Sequence, residues 1–143
     1  AVVDVGTGTG ILAIVAAISG AVQVLAIDTD VDAVRTATDN VSANGCDDRV
    51  MVAGGRLPMD GQDPANVLVA NIITDAHLQS LGAYANAVCP GGAAVLGGVT
   101  LARADEVRDA AHGRGFELAH ESQRDDWVCL TLTANVTAGV TMS

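Results

Sequence analysis

Asp4, the glycine run Gly6-Thr7-Gly8-Thr9-Gly10, Asp28 and Asn71 are the residues whose types and spacing could do chemistry here. A glycine loop between a strand and a helix lets backbone approach a ligand closely. It also leaves the N–H groups of the helix start free to bind. A carboxylate that ends the next strand can accept both hydroxyls of a ribose. Asp28 stands there, closing the apolar run Gln23–Ile27. Loop and carboxylate together predict a nucleoside-bearing ligand.

The loop spacing narrows the choice. A dinucleotide fingerprint is GxGxxG, whose third glycine would fall at position 11, and that position is Ile11. The observed GxGxG suits a nucleoside cofactor without a pyrophosphate. The amino-acid end of such a cofactor lies along the loop, with its ammonium near Asp4. S-adenosylmethionine (SAM) has this form, and a nicotinamide dinucleotide does not.

These residues need a sheet to hold them. Ala1–Val5, Gln23–Ile27, Arg49–Ala53, Asn66–Ala70 and Ala93–Gly98 are short, continuously apolar runs, hence buried strands. Ile11–Ile18 is an apolar helix stopped by Ser19-Gly20. Asp30–Ala43 has helical spacing at Val31, Val34 and Val41, with Asp30 as N-cap. Asp75–Val88 is a helix with Leu78, Leu81 and Ala85 on one face, and Cys89-Pro90-Gly91-Gly92 follows as a sharp turn. Leu101–His112 is a helix that turns Leu101, Ala104, Val107 and Ala111 inward. Phe116–Ser122 and Trp127–Thr133 are strands, and the turn Gln123–Asp126 is too short for a parallel crossover. The fold class is therefore α/β: a Rossmann-like, doubly wound, mostly parallel seven-stranded sheet with an antiparallel C-terminal hairpin. Ligands bind outside the carboxyl ends of such strands, at Gly6–Gly10, Asp28, Gly54–Arg56 and Asn71–Thr74.

Composition excludes several classes. The net charge is −10 and all seven basic residues are arginine. So acidic a chain is poorly equipped to grip nucleic-acid phosphates. Its charge serves either a solvated surface or a basic partner. No apolar run reaches the ~18 residues of a membrane span. Cys46, Cys89 and Cys129 form no CxxC or disulfide frame, and reduced thiols point to the cytoplasm.

The stretches DVGTGTGILAIVAA, AIDTDVDAV, ANII and CPGGAAVLGGV, with the GFE…DDWVCLTL ending, resemble the class I SAM-dependent methyltransferases. More narrowly, they resemble the ribosomal protein L-eleven methyltransferase (PrmA) family. The resemblance runs over residues 1–133, taken as the SAM-binding core, with 134–143 expected to be a disordered tail. It implies a SAM cofactor and methyl transfer by in-line displacement to amine nitrogens of a protein, a large-subunit ribosomal protein. It implies cofactor binding by Asp4, Gly6, Thr7, Gly8, Gly10, Asp28, Thr29, Gly54, Gly55 and Asn71. Asn71 and the Ile72 carbonyl would be the catalytic pair, accepting the hydrogens of the incoming amine. Related enzymes commonly carry Gly-Asp after the third strand, whereas this chain has Gly54-Gly55-Arg56. Asp60 is the candidate to supply that acidic contact. The family also carries an N-terminal recognition domain that these residues do not include, which implies a truncated core.

Other residues have plainer roles. His77, His112 and His120 lack metal-ligand spacing and read as solvated or helix-end residues. Trp127 reads as a packed strand residue rather than a ligand platform. A small-molecule methyltransferase and a non-catalytic nucleoside-binding fragment remain as alternative functions.

Overall fold

The computed structural model describes residues 1–136 of the chain. The elements follow the apolar runs and their breakers. They are β1 (Val2–Val5), α1 (Ile11–Ile18), β2 (Val24–Asp28), α2 (Val31–Ala43), β3 (Val50–Gly54) and β4 (Ala65–Asn71). They continue with α3 (Thr74–Ala87), β5 (Val88–Thr100), a short 3-10 turn (Leu101–Arg103), α4 (Ala104–His112), β6 (Phe116–Arg124) and β7 (Trp127–Ala134). Asp30 caps α2 by accepting from the Asp32 N–H at 2.9 Å, as predicted.

The seven strands form one sheet in the order β3-β2-β1-β4-β5-β7-β6. The first five are parallel neighbours, and β7 runs antiparallel to both β5 and β6. The strand order reverses between β1 and β4. That is a topological switch point, and the crevice it opens lies outside the carboxyl ends of the strands. The expected fold class therefore holds.

The two faces are packed differently. On one, Ala13 and Ala17 of α1 and Val41 of α2 pack on Val24, Ala26 and Val50. Alanine at these contacts lets the helices sit close to the strands. On the other, Leu81 and Tyr84 of α3 and Val107 of α4 cover Leu68, Leu96, Leu130 and Leu132. The outer side of α1 stays apolar yet exposed at Ile11, Val15 and Ile18.

Five local expectations are corrected. Cys89-Pro90-Gly91-Gly92 does not end an element. It is absorbed into β5 as a bulge, since Ala65 pairs with Val88 while Val67 pairs with Ala93. Leu101 lies in the 3-10 turn and is exposed, whereas Ala104, Val107 and Ala111 do face inward. The inward stripe of α3 is Thr74, His77, Leu81 and Tyr84; Leu78 and Ala85 sit beside it, half-buried. The turn between β6 and β7 tightens to Asp125-Asp126, with Asp125 at φ 55°, a conformation Asp tolerates in two-residue hairpins. At the expected tail, Ala134 belongs to β7 and is buried, and the Asn135 N–H donates to the Gly115 carbonyl at 2.8 Å. The remainder of that tail, residues 137–143, lies outside the described residues.

The Asp30 cap is the one side-chain cap on α2, whose second turn carries the Ala37 contact to the glycine loop. Asp30→Ala should cost about 1 kcal/mol in urea unfolding, and Asp30→Asn close to nothing. Equal losses in both would show that the cap bond is not what stabilises the helix.

Candidate functional site

The glycine loop links β1 to α1 and is tied down from both sides. Its Thr7 N–H donates to the Ile27 carbonyl at 2.9 Å. Its Gly8 N–H donates to Asp28 Oδ2 at 2.9 Å. The other oxygen of Asp28 accepts from the Asp30 N–H, also at 2.9 Å. Asp28 thus orders loop and helix start at once, and each oxygen keeps a lone pair for a further donor. Gly6, at φ 70°, has no room for a side chain: a Cβ there would stand 2.6 Å from Ile72 Cγ2. Gly8, at φ 58°, faces open space, and Gly10 packs against Ala37 of α2.

Asp4 lies beneath the loop with its residue surface 1% exposed. Thr7 Oγ1 donates to Asp4 Oδ2 at 2.7 Å, but Asp4 Oδ1 has no hydrogen-bond partner. A buried, unpaired carboxylate oxygen is costly and marks a place where a donor is wanted. Burial raises the pKa of Asp4 to about 6, against the lowering effects of the Thr7 hydroxyl and of the Ala13 N–H at the start of α1, with the Asp28 charge adding to the rise.

Two cavities flank the end of β4. One, of about 530 Å³, is lined by Gly6, Asp28, Thr29, Gly55 and Ile72, with Arg56, Leu57, Ala76, Gln79 and Tyr84. The other, of about 580 Å³, is lined by Asn71, Gly97, Gly98, Leu12, Arg124, Trp127 and Cys129. Asn71, the last residue of β4, and Ile72, the first beyond it, line different cavities. The structure therefore brings five of the predicted residues to one hollow and places Asn71 in the next. Asp4, Thr7, Gly8, Gly10 and Gly54 line neither; they support the loop or follow a strand end. A further cavity of about 460 Å³ lies along the amino ends of β1 to β4, among Val2, Val24, Val50 and Ala65, and reaches Ala53 and Met59.

The sequence model of the family described as ribosomal protein L11 methyltransferase (PrmA) matches residues 1–135. The chain belongs to the ribosomal protein L11 methyltransferase family. It is 40% identical over 129 residues to the ribosomal protein L11 methyltransferase of Exiguobacterium sibiricum, covering 90% of this chain and 41% of that protein. The Thermotoga neapolitana protein of that name is 37% identical over 131 residues, covering 92% and 49%. The chain thus spans less than half the length of these curated relatives. The crystal structure of the ribosomal protein L11 methylase from Lactobacillus delbrueckii subsp. bulgaricus superposes with a TM-score of 0.88 at 27% identity, over 94% of this chain and 69% of that one. An RNA methyltransferase from Salinibacter ruber, solved with S-adenosyl-L-homocysteine, shares the fold at TM-score 0.73 and 19% identity, over 94% and 80%.

Within this ribosomal protein L11 methyltransferase fold, three residues depart from the sequence reading. Asp60 does not line the cavity beside Asp28. It lines the cavity at the amino ends of the strands, and Arg56 and Leu57 occupy the site beside Asp28 instead. Trp127 is not packed away: it is 55% exposed and forms a wall of the Asn71 cavity. Its place at the turn end of the hairpin, opposite Thr100 at the end of β5, puts it at the ligand edge of the sheet. His77 does lie at a helix end, in the first turn of α3, but it is not solvated. It is fully buried, 2.7 Å from the Gly97 carbonyl and 3.1 Å from Tyr84 Oη, and burial lowers its pKa. His112 does sit at a helix end, 3.2 Å from Glu117, and His120 is exposed. Among the described residues no His, Cys, Asp or Glu cluster could hold a metal.

Asp4 offers a test with a definite sign. Its folded pKa of about 6 lies above the ordinary 3.8, so the folded chain binds the proton more tightly than the unfolded one. The penalty for ionising it is absent below pH 3.8 and complete above about pH 6. Asp4→Asn should therefore gain stability over wild type as pH rises through that window, by up to about 3 kcal/mol in urea unfolding. A difference that does not change with pH would mean that burial does not hold the Asp4 proton.

Proposed function

We propose that this chain is the catalytic core of a SAM-dependent protein methyltransferase that methylates amine nitrogens of a ribosomal protein in the cytoplasm. The observation that carries this reading is the contact between the cofactor loop and the end of β4, where Gly6 packs on Ile72. It puts the residues suited to a nucleoside cofactor beside those suited to an amine.

The cofactor assignment rests on donors and acceptors of this chain. The unpaired Oδ1 of Asp4 suits an ammonium group, and the free lone pairs of Asp28 suit a ribose diol. SAM, when bound, supplies a methyl group already activated by its sulfonium. The chain then has only to position the amine and keep water away. Asn71 Oδ1 and the Ile72 carbonyl are the acceptors that hold the amine hydrogens and aim its lone pair.

The Asn71 cavity is suited to that task. Trp127 and Leu12 give it apolar walls. Among the described residues no carboxylate or imidazole lines it, burial pushes the Cys129 thiol up and so keeps it protonated, and Arg124 adds a positive charge. A lysine amine entering there is favoured in its neutral form. It leaves its proton in solvent, because no base in the cavity takes it. The acidic chain, at −10, attracts a basic ribosomal protein at long range. Among the described residues no helix is long and apolar enough to cross a membrane.

The direct test is transfer of labelled methyl from SAM to purified ribosomal protein L11, with calorimetry of SAM and NADH binding alongside. SAM should give heat and NADH none; no SAM heat at about 1 mM ligand, far above common cofactor affinities, would sink the cofactor assignment. Asn71→Ala should lower kcat by about 100-fold while SAM affinity stays within about threefold. Equal losses in both would count against its positioning role. With no base in the site, kcat/KM should climb steadily with pH toward the lysine value of about 10.4. A plateau near neutral pH would instead reveal a base that the cavity does not show.

A further inference from the structure

Gly97 and Gly98 form a second bulge in β5. Leu96 pairs with Leu130 and Val99 with Val128, so β5 carries one extra residue at this point. The bulge presses on both groups that would hold the amine. A Cβ on Gly97 would stand 3.0 Å from Asn71 Oδ1, and one on Gly98 only 2.4 Å from the Ile72 carbonyl oxygen. Gly98 also has φ 74°, which favours glycine. Any shift of the bulge therefore moves Asn71 and Ile72.

The bulge is held from α3, the helix that starts just after Ile72. On one side the Thr100 N–H donates to Thr74 Oγ1 at 3.0 Å. On the other, His77 Nε2 lies 2.7 Å from the Gly97 carbonyl. A carbonyl only accepts, so Nε2 carries the proton. Nδ1 is then the acceptor and takes the Tyr84 hydroxyl at 3.1 Å. Imidazole and phenol are both fully buried, and each of their polar atoms in this chain of bonds has a partner. An aliphatic side chain would fill the same space at less cost in desolvation, but would leave the Gly97 carbonyl without this donor.

We propose that His77, oriented by Tyr84, is a positioning residue for the methyl-acceptor site: it fixes the Gly97–Gly98 bulge and thereby the placement of Asn71 Oδ1 and the Ile72 carbonyl. The proposal rests on the acceptor role given above to Asn71 and Ile72. It identifies His77 as a specific hydrogen-bond donor rather than a space-filling residue.

The test compares His77→Leu, His77→Gln and Asn71→Ala in the full chain, reading kcat, KM for the protein acceptor, SAM affinity and melting temperature. Glutamine can still offer an N–H to the Gly97 carbonyl and leucine cannot. His77→Leu should lower kcat by about 100-fold with SAM affinity within about threefold, and His77→Gln should recover most of that loss. Long-range 15N–1H spectra of the wild type should show His77 as the neutral Nε2–H tautomer. If both His77 variants lower only the melting temperature while Asn71→Ala still abolishes turnover, the proposal is overturned and the acceptor reading survives. An Nδ1–H tautomer would likewise overturn it. Full activity of Asn71→Ala would overturn the acceptor reading, and this proposal with it. The spectra need no folded variant, so loss of folding in His77→Leu leaves a decisive readout.

Discussion

Both oxygens of Asp28 are held by backbone N–H groups, one from Gly8 in the loop and one from Asp30 at the start of α2. This carboxylate joins three pieces of chain that are distant in sequence or about to diverge: the glycine loop, the end of β2 and the helix that follows. Charge-assisted bonds to backbone are stronger and shorter than neutral ones, so the tie is stiff. The loop's own geometry depends on it. So does the loop's contact with Ile72, because the Gly8 end of the loop is anchored there while Gly6 reaches the end of β4.

From that anchor the site is built outward along the strand ends. Parallel strands bring Val5, Asp28, Gly54 and Asn71 to one edge because their registers match across β1, β2, β3 and β4. Where the chain leaves β4, two neighbouring residues then turn to different cavities. Ile72 turns toward the cavity shared with Asp28, and Asn71 toward the cavity shared with Trp127. The two cavities are thus lined by residues that are neighbours in sequence. The antiparallel hairpin adds Trp127 and Arg124 from the far end of the chain, because β7 runs back toward the ligand edge beside β5.

The protein meets one cost to do this. Asp4 is buried with an oxygen unpaired, and its carboxyl resists ionisation as a result. His77 and Tyr84 are also buried polar groups, yet they are paired with each other and with the backbone. The difference separates two roles. Paired groups hold the frame, whereas an unpaired one beside a glycine loop marks a place suited to a donor.

Local pattern alone determined much of this protein. The alternation of apolar runs with helical spacing is a period-2 and period-3.6 signal that needs no tertiary information. It places α1 at Ile11–Ile18 as observed and identifies Asp30 as the cap of α2. The GxGxG loop, Asp28 and the Asn71-Ile72 pair were legible for the same reason, since each is defined by its place at a strand end. Long-range packing decided the rest. His77 reads as a polar helix residue until α3 docks on the end of β5 and offers it the Gly97 carbonyl. Trp127 reads as core until the hairpin sets it at the open edge. The Pro-Gly-Gly run of β5 reads as a turn until pairing with β4 absorbs it as a bulge. In each case the local signal was correct about residue type. The partner that gave it meaning lay 20 or more positions away, for His77 and Gly97 as for Asp28 and Gly8.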